Sequence, residues 1–583
     1  LLADRQQAIF RHGLSHQWAM CEETGRMENL RRAARGERGG FVGRYYDDSD
    51  VHKLAEATLY AVAYHPDLPV RAQLEEYVHV VQSAQMPDGY LNSFFQLMHP
   101  DKRYRALSSM HEIYCMGHLL EACAAAAESQ IYPELVQVGH KLTDHLVREF
   151  GPEGRPGYCG HQQAEIALAR FGRAVNREDA VALSRRMTDL RGVRPTPLES
   201  EFTNETAHTL APWMRAHVGI NGKYDGSYYQ DDQPLREQKT SVGHSVRAMY
   251  QFCGALDGYG DSDAKLTQAL STIWKEMTEK RMYVIGGIGS ARRNEGFTVD
   301  YDLPSETAYC ETCAAVALCM WAARMGILGI DGAWRVFERA LFNNLLAGFN
   351  DDATLYNYEN PLEHDGRHVR KPWFECACCP PNVARFLGSI TRYLVHPVQG
   401  RAQVEVPVAL EGEVTHPFGG TLELKMESDY PFGSEIRVQT RGELPLAVMV
   451  DRWTGEPRAE RVIGESGFST SLRQGWIRAH GSVRDTAGKV AFQRGPVVYA
   501  LEARDIVPPT PLSELCIDPE APVYIQDNGR AVTVTGHRRH PIGEELYDFD
   551  RMVEDEELEL MLRPFASNGN RGATALTVWL RER

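Results

Sequence analysis

The sequence predicts a multidomain α plus β protein: a helical N-terminal domain over residues 1–396, a β-sandwich over 397–500 and a second β-sandwich over 501–583. Three observations carry this. The chain has 583 residues, more than one hydrophobic core supports, so it divides into domains. Up to about residue 395, apolar residues recur every third or fourth position, the helical period. Beyond it they alternate with polar ones, the period of a half-buried strand.

The helical stretches run from Gln6 to Glu23, Asp50 to His65, Val70 to Gln85, Ser108 to Gln130, Tyr132 to Phe150, Gln162 to Phe171, His244 to Leu256, Ala264 to Thr278, Thr307 to Met325, Gly332 to Phe349 and Asn382 to Leu394. In the fourth, Ile113, Met116, Leu119, Leu120 and Cys123 form one stripe. Pro69 and Pro133 stand where a helix starts or a loop turns. Medium-length helices joined by polar, Gly-containing loops suggest a toroid of paired helices. Period-two runs follow: Val404–Val408, Leu422–Met426, Ile436–Thr440, Val490–Phe492, Val497–Leu501 and Ala575–Leu580. Pro431–Ser434 and Asp527–Gly529 are turn clusters between such runs.

Composition narrows the function. A net charge of −16 and no long basic run exclude a phosphate-gripping surface, so no nucleic-acid partner is expected. No stretch of about 18 apolar residues exists, so no membrane partner is expected either. Leu1–Arg5 lacks a basic region followed by an apolar core, which is not a signal peptide, and the expected location is cytoplasmic. Twelve cysteines in so long a chain are too sparse for a disulfide scaffold. Their crowding at 310–319 and 376–379 suits metal binding.

Cys376, Cys378 and Cys379 precede Pro380 and Pro381, and Glu311 and Cys313 lie upstream. Several thiols and a carboxylate can close a tetrahedral site for a borderline-soft cation such as zinc. Glu311 and Cys313 would not share a face of a regular helix, so their segment is expected to be extended or to sit at a helix start. Pro380 is expected to push Cys379 out of the α region, giving an irregular turn. The competing reading is that these thiols are buried small hydrophobes. A closed site disfavours zinc-hydroxide chemistry and leaves open a ligated thiolate as nucleophile.

The motifs Glu311-Thr312-Cys313, Cys376-Ala377-Cys378-Cys379-Pro380-Pro381-Asn382, His111-Glu112-Ile113-Tyr114-Cys115 and Gln85-Met86-Pro87-Asp88-Gly89-Tyr90-Leu91-Asn92 resemble those of the β-L-arabinofuranosidase family, glycoside hydrolase family 127. The likeness extends through Glu22–Arg26 and Gln493–Tyr499 and covers most of the chain. It implies an (α/α)6 barrel followed by β-sandwich domains. It implies zinc held by Glu311, Cys313, Cys378 and Cys379, with Cys378 as nucleophile and Glu295 as acid/base. By the same matching, His111, His161, His244, Glu338 and Tyr358 hold the sugar, and Trp373 offers it an apolar platform.

The function this implies is a retaining exo-glycosidase that removes terminal β-L-arabinofuranose from plant-type oligosaccharides or glycopeptides. Three rivals stand beside it: a relative acting on another pectic sugar, a toroid-fold lyase or epimerase with structural zinc, and a non-catalytic glycan binder. The expected partner is an oligosaccharide or glycoconjugate substrate, and a homodimer is compatible with the sequence.

Overall fold

The computed structural model describes residues 1–217, 223–398, 400–417, 419–542, 545–547 and 553–583. Helices run along the chain to Leu394, and among the described residues every strand but Glu363–His364 lies beyond it.

Six helices close into a ring. Asp48–Tyr64 packs on Glu112–Ser129, which packs on Ala164–Ala174; that helix meets Ser245–Tyr259, then Thr312–Ile327, then Cys379–Gly388, which returns to Asp48–Tyr64. These helices expose few residues to solvent. Thr312–Ile327 buries every residue from Thr312 to Ala323, and Asp48–Tyr64 every residue from Asp48 to Val62. A helix of this kind is stable only when other elements surround it. Amphipathic helices supply that cover. Pro133–Phe150 starts with proline at its first turn, where no N–H is needed. It turns Leu135, Val138, Leu142 and Leu146 toward Glu112–Ser129 and Arg71–Ala84. Glu178–Leu190, which the sequence reading missed, covers Ala164–Ala174 and Ser245–Tyr259 with Ala180, Val181, Leu183 and Met187. The helix expected from Thr307 begins only at Thr312, because Glu311 is already its extended cap residue.

Beyond Leu394 two four-stranded sheets share one core. One holds Val395–Val398, Arg401–Val404, Leu446–Val450 and Arg458–Val462; the other holds Leu410–Thr415, Thr421–Ser428, Glu435–Gly442 and Glu465–Ser469. Leu422, Leu424 and Met426 alternate with exposed residues along their strand and meet Val404, Leu446 and Val448 across the layer. A third, ten-stranded sheet takes the rest of the chain. The boundary expected after residue 396 falls inside Val395–Val398, so the helical part ends two residues earlier. The boundary expected after residue 500 falls inside Val497–Glu502, which pairs with Lys489–Arg494 before it and with Val553–Pro564 and Leu576–Thr577 after it. One sheet therefore spans that position.

The last sheet is tied to the helices. Val498 N–H donates to Asn343 Oδ1 at 2.8 Å, and Asn343 Nδ2 donates to the Pro496 carbonyl at 2.8 Å. Arg339 Nη2 donates to Gln493 Oε1 at 3.0 Å. Tyr283, Ile285 and Leu362 share an apolar cluster with Val498, Phe565 and Trp579. The Gln493–Tyr499 motif is thus where sheet and helices dock. No helix among the described residues is long and apolar enough to cross a membrane.

Candidate active site

All six ring helices begin at one cavity of about 230 Å³. It is lined by Tyr45, Tyr46 and Ser49 at the start of Asp48–Tyr64, by His111 and Tyr114 at the start of Glu112–Ser129, and by His161 just before Ala164. His244 and Arg247 come from the start of Ser245–Tyr259, Glu311 and Cys313 from that of Thr312–Ile327, and Cys378 and Asn382 from that of Cys379–Gly388. Helix N-termini carry partial positive charge, so the convergence favours anionic groups in the cavity.

Glu311 is the cap residue of its helix with ψ 137°, outside the helical region, and Cys313 is the second residue of the first turn. Thr312 locks this geometry. Its N–H donates to the Tyr358 carbonyl at 2.9 Å and its hydroxyl to the Asn357 carbonyl at 2.8 Å, which brings Tyr358 beside the thiols. The irregular turn expected at the double cysteine is instead a helix start: Cys378 is already in the αR region, Cys379 opens the helix, and Pro380 and Pro381 occupy first-turn positions that need no N–H partner.

The four expected ligand atoms of Glu311, Cys313, Cys378 and Cys379 lie within 4.8 Å of one another. Sulfur separations are 3.4 Å for Cys313–Cys379 and 3.8 Å for Cys378–Cys379; Glu311 Oε1 stands 3.7 Å from Cys378 Sγ and 3.9 Å from Cys379 Sγ. A tetrahedral zinc with Zn–S near 2.3 Å sets its sulfurs about 3.8 Å apart. The fit extends to electrostatics. Glu311 Oε2 is buried with no hydrogen-bond partner. Burial, then the Cys378 charge, pushes the Glu311 carboxyl well up, and burial likewise pushes up the Cys379 thiol. Cys313 is driven up by burial, but hydrogen bonds from the Cys378 and Cys379 thiols outweigh it and hold Cys313 at about 6. A cation at the centre would let all four groups ionise together. Tyr358 Oη lies 3.3 Å from Cys378 Sγ and 3.7 Å from Cys376 Sγ, so Cys376 flanks the cluster without joining the four.

Glu295 faces this cluster from a left-handed backbone position, φ 49°. Ser245 holds its carbonyl through N–H at 3.1 Å and Oγ at 2.9 Å. A Cβ on the next residue, Gly296, would meet the Gly243 carbonyl at 1.8 Å, so glycine is required for the loop to lie against His244. Val246 N–H donates to His244 Nδ1 at 3.2 Å, which places the ring proton on Nε2, 2.8 Å from Glu295 Oε2. Burial raises the Glu295 carboxyl, but the hydrogen bond and charge of His244 outweigh it and hold it below the usual carboxylate range. His111 Nδ1–H donates to the Ser109 carbonyl and His161 Nδ1–H to the Gln162 carbonyl, each at 3.0 Å. Both rings then offer Nε2 as an acceptor. Burial, followed by the Arg247 charge, pushes His111 down to about 3 and His161 well below its ordinary value.

Residues 1–392 match the family description "Beta-L-arabinofuranosidase, GH127 catalytic domain", and residues 475–581 match the family 127 C-terminal domain. The chain belongs to glycoside hydrolase family 127 and is a glycoside hydrolase. It is 33% identical over 535 residues to a non-reducing end β-L-arabinofuranosidase of Bifidobacterium longum subsp. longum, a match covering 82% of this chain and 78% of that protein. Its fold matches a family 127 β-L-arabinofuranosidase from Geobacillus stearothermophilus T6 with TM-score 0.90 and 30% identity, over 100% of this chain and 99% of the other. A second family 127 β-arabinofuranosidase gives TM-score 0.84 at 26% identity, over 100% and 96%.

Two residues expected in the family 127 site lie elsewhere. Glu338 is fully buried at the junction of the helices and the first pair of sheets, where Tyr430 Oη and Trp453 Nε1 donate to its carboxylate and Arg452 lies 3.2 Å away. It anchors the domains and does not line the cavity. Trp373 is also absent from the lining; the Arg26 guanidinium sits 5.6 Å over its ring. The aromatic wall comes instead from Tyr45, Trp213 and Tyr228, which motif reading did not single out. Arg247 was also missed. It is buried, donates to the Gly160 carbonyl at 2.8 Å and stacks on Tyr228 and Tyr229. The one signal for it was its place in the first turn after His244.

Neutral His111 gives a testable pH effect. Unfolded histidine binds a proton below about pH 6.5, whereas folded His111 does so only near about 3. Stability carried by this group therefore falls as pH falls through that window. Relative to His111→Gln, the wild type is expected to lose about 1.4 kcal/mol per pH unit there, read from denaturant midpoints of both proteins. Equal slopes would show that His111 gains its proton in the folded state.

Proposed function

We propose that this family 127 enzyme is a retaining exo-glycosidase that releases terminal β-L-arabinofuranose from oligosaccharides or glycoconjugates, with Cys378 as nucleophile and Glu295 as acid/base. One observation carries the reading: of the four clustered groups, Cys378 alone is not fully buried, and it opens into the cavity that Glu295 also lines. The B. longum relative, named for non-reducing end β-L-arabinofuranosidase activity, supports the choice of sugar. Action on a terminal residue is supported by the cavity, which at about 230 Å³ is below the ~300–1,000 Å³ of typical ligand sites and suits one ring.

In the first step the Cys378 thiolate attacks the anomeric carbon, the C–S bond forms as the C–O bond breaks, and the Glu295 proton passes to the leaving oxygen. In the second, water attacks the same carbon, the Glu295 carboxylate takes its proton, and sulfur leaves as thiolate. His244 holds Glu295 ionised, the form the second step needs; seating of the sugar has to weaken that hydrogen bond for the first. His111 and His161 accept hydrogen bonds from sugar hydroxyls through Nε2, and Tyr358 donates to the attacking sulfur. Zinc held by Glu311, Cys313, Cys378 and Cys379 would keep the sulfur ionised and ease its departure.

We read the ring of six helices as the inner layer of an (α/α)6 barrel and the sheets beyond it as β-sandwiches. The divisions we propose are residues 1–394, 395–470 and 474–583. The test of the chemistry is intact-protein mass spectrometry after incubation with an arabinofuranosyl inhibitor that alkylates the nucleophile. One adduct is expected, mapped to Cys378; an adduct on any other residue would refute the assignment.

A further inference from the structure

We propose that Trp213, backed by Tyr45, is the platform for the sugar that leaves, and that it makes the enzyme prefer a glycosidic aglycone over a small one. This rests on the glycosidase reading above. The cavity suits one ring, so the leaving residue of a longer substrate lies at its mouth. Trp213 lines the cavity while 40% exposed, an unusual state for so large an apolar side chain. Its ring lies nearly parallel to Tyr45, with centroids 5.0 Å apart and an angle of 13°. Tyr45 is fixed in turn by the edge of His111 at 5.6 Å and by Phe94 at 6.2 Å. The stack therefore links His111, expected to hold the terminal sugar, to the solvent edge where the next ring emerges.

The chemistry of the occupant follows from the surface. An indole face offers apolar area and a negative quadrupole, which suits the C–H face of a sugar ring. Arg293 lines the same cavity and is exposed, and no hydrogen bond or ion pair engages its guanidinium among the described residues. It can donate to the hydroxyls of the stacked ring. A methyl aglycone would reach neither group.

The experiment compares kcat/KM for a β-L-arabinofuranosyl disaccharide and for methyl β-L-arabinofuranoside, in wild type, Trp213→Ala and Trp213→Phe. Trp213→Ala is expected to lose about tenfold or more on the disaccharide, carried by KM, and less than about twofold on the methyl glycoside. Trp213→Phe is expected to keep most of the preference. Equal losses on both substrates, or no loss on the disaccharide, would overturn the proposal. Failure of the wild type to hydrolyse either glycoside would refute the glycosidase reading and this inference with it. Unchanged melting of Trp213→Ala shows that the variant is folded.

Discussion

Alanine in place of Cys378 is expected to cut kcat/KM on a β-L-arabinofuranoside by about 10⁴-fold or more, the scale seen when a covalent nucleophile is removed. Cys378 is the least buried of the four clustered groups, and because it is also one of the four proposed metal ligands, the variant's metal content and melting are measured beside its activity. A small external nucleophile separates a chemical loss from a structural one. Azide can enter the space left by the thiol, attack the anomeric carbon from the same side and displace the aglycone as Glu295 protonates it. The product expected is an arabinofuranosyl azide of inverted configuration, detected by NMR. Full activity of the variant on the natural glycoside would end the mechanism proposed here. Glu295→Gln is expected to cost about 10²–10⁴-fold, and less on substrates whose leaving group needs no proton.

The second large effect concerns the proposed metal. Cys379→Ala is expected to abolish stoichiometric metal binding and to lower the melting temperature of the helical part markedly. Cys379 is fully buried and its sulfur lies 3.4 Å from Cys313 and 3.8 Å from Cys378. Its removal would leave the proposed site with three of its four ligands, among them Glu311, whose Oε2 has no hydrogen-bond partner. A ligand held at 1,000 times its dissociation constant stabilises the folded state by about 4 kcal/mol, and that increment is what the variant forgoes. Elemental analysis of the purified proteins and melting with and without a chelator are the measurements. A variant that keeps one metal per chain would show that the ion sits elsewhere.

The thiols were legible because chemistry-bearing residues crowded into a few positions leave few bland explanations. The strands were legible where one face meets a core, as in Thr421–Ser428, whose alternation is complete. The ring's inner helices were harder. Thr312–Ile327 is apolar on every side, so its sequence shows no stripe from which a packing direction could be read. Glu338 shows the other limit. Its partners, Tyr430, Arg452 and Trp453, come from the β-rich half, and nothing in its own helix marks it as a domain anchor. Trp213 sits in a short 3₁₀ segment, Pro212–His217, with no periodicity to set it apart from an ordinary loop residue.

Because His111, His161, His244, Glu311 and Cys378 stand on or beside the caps of five ring helices, with Glu295 and Tyr358 on loops against them, the scaffold and its reactivity are separable. One residue inserted at a cap would swing its side chain by about 100° around the helix axis while the apolar packing below stayed in register. New substrate preferences could thus be acquired by editing short junctions, with the load of folding left to parts of the molecule that never touch a sugar.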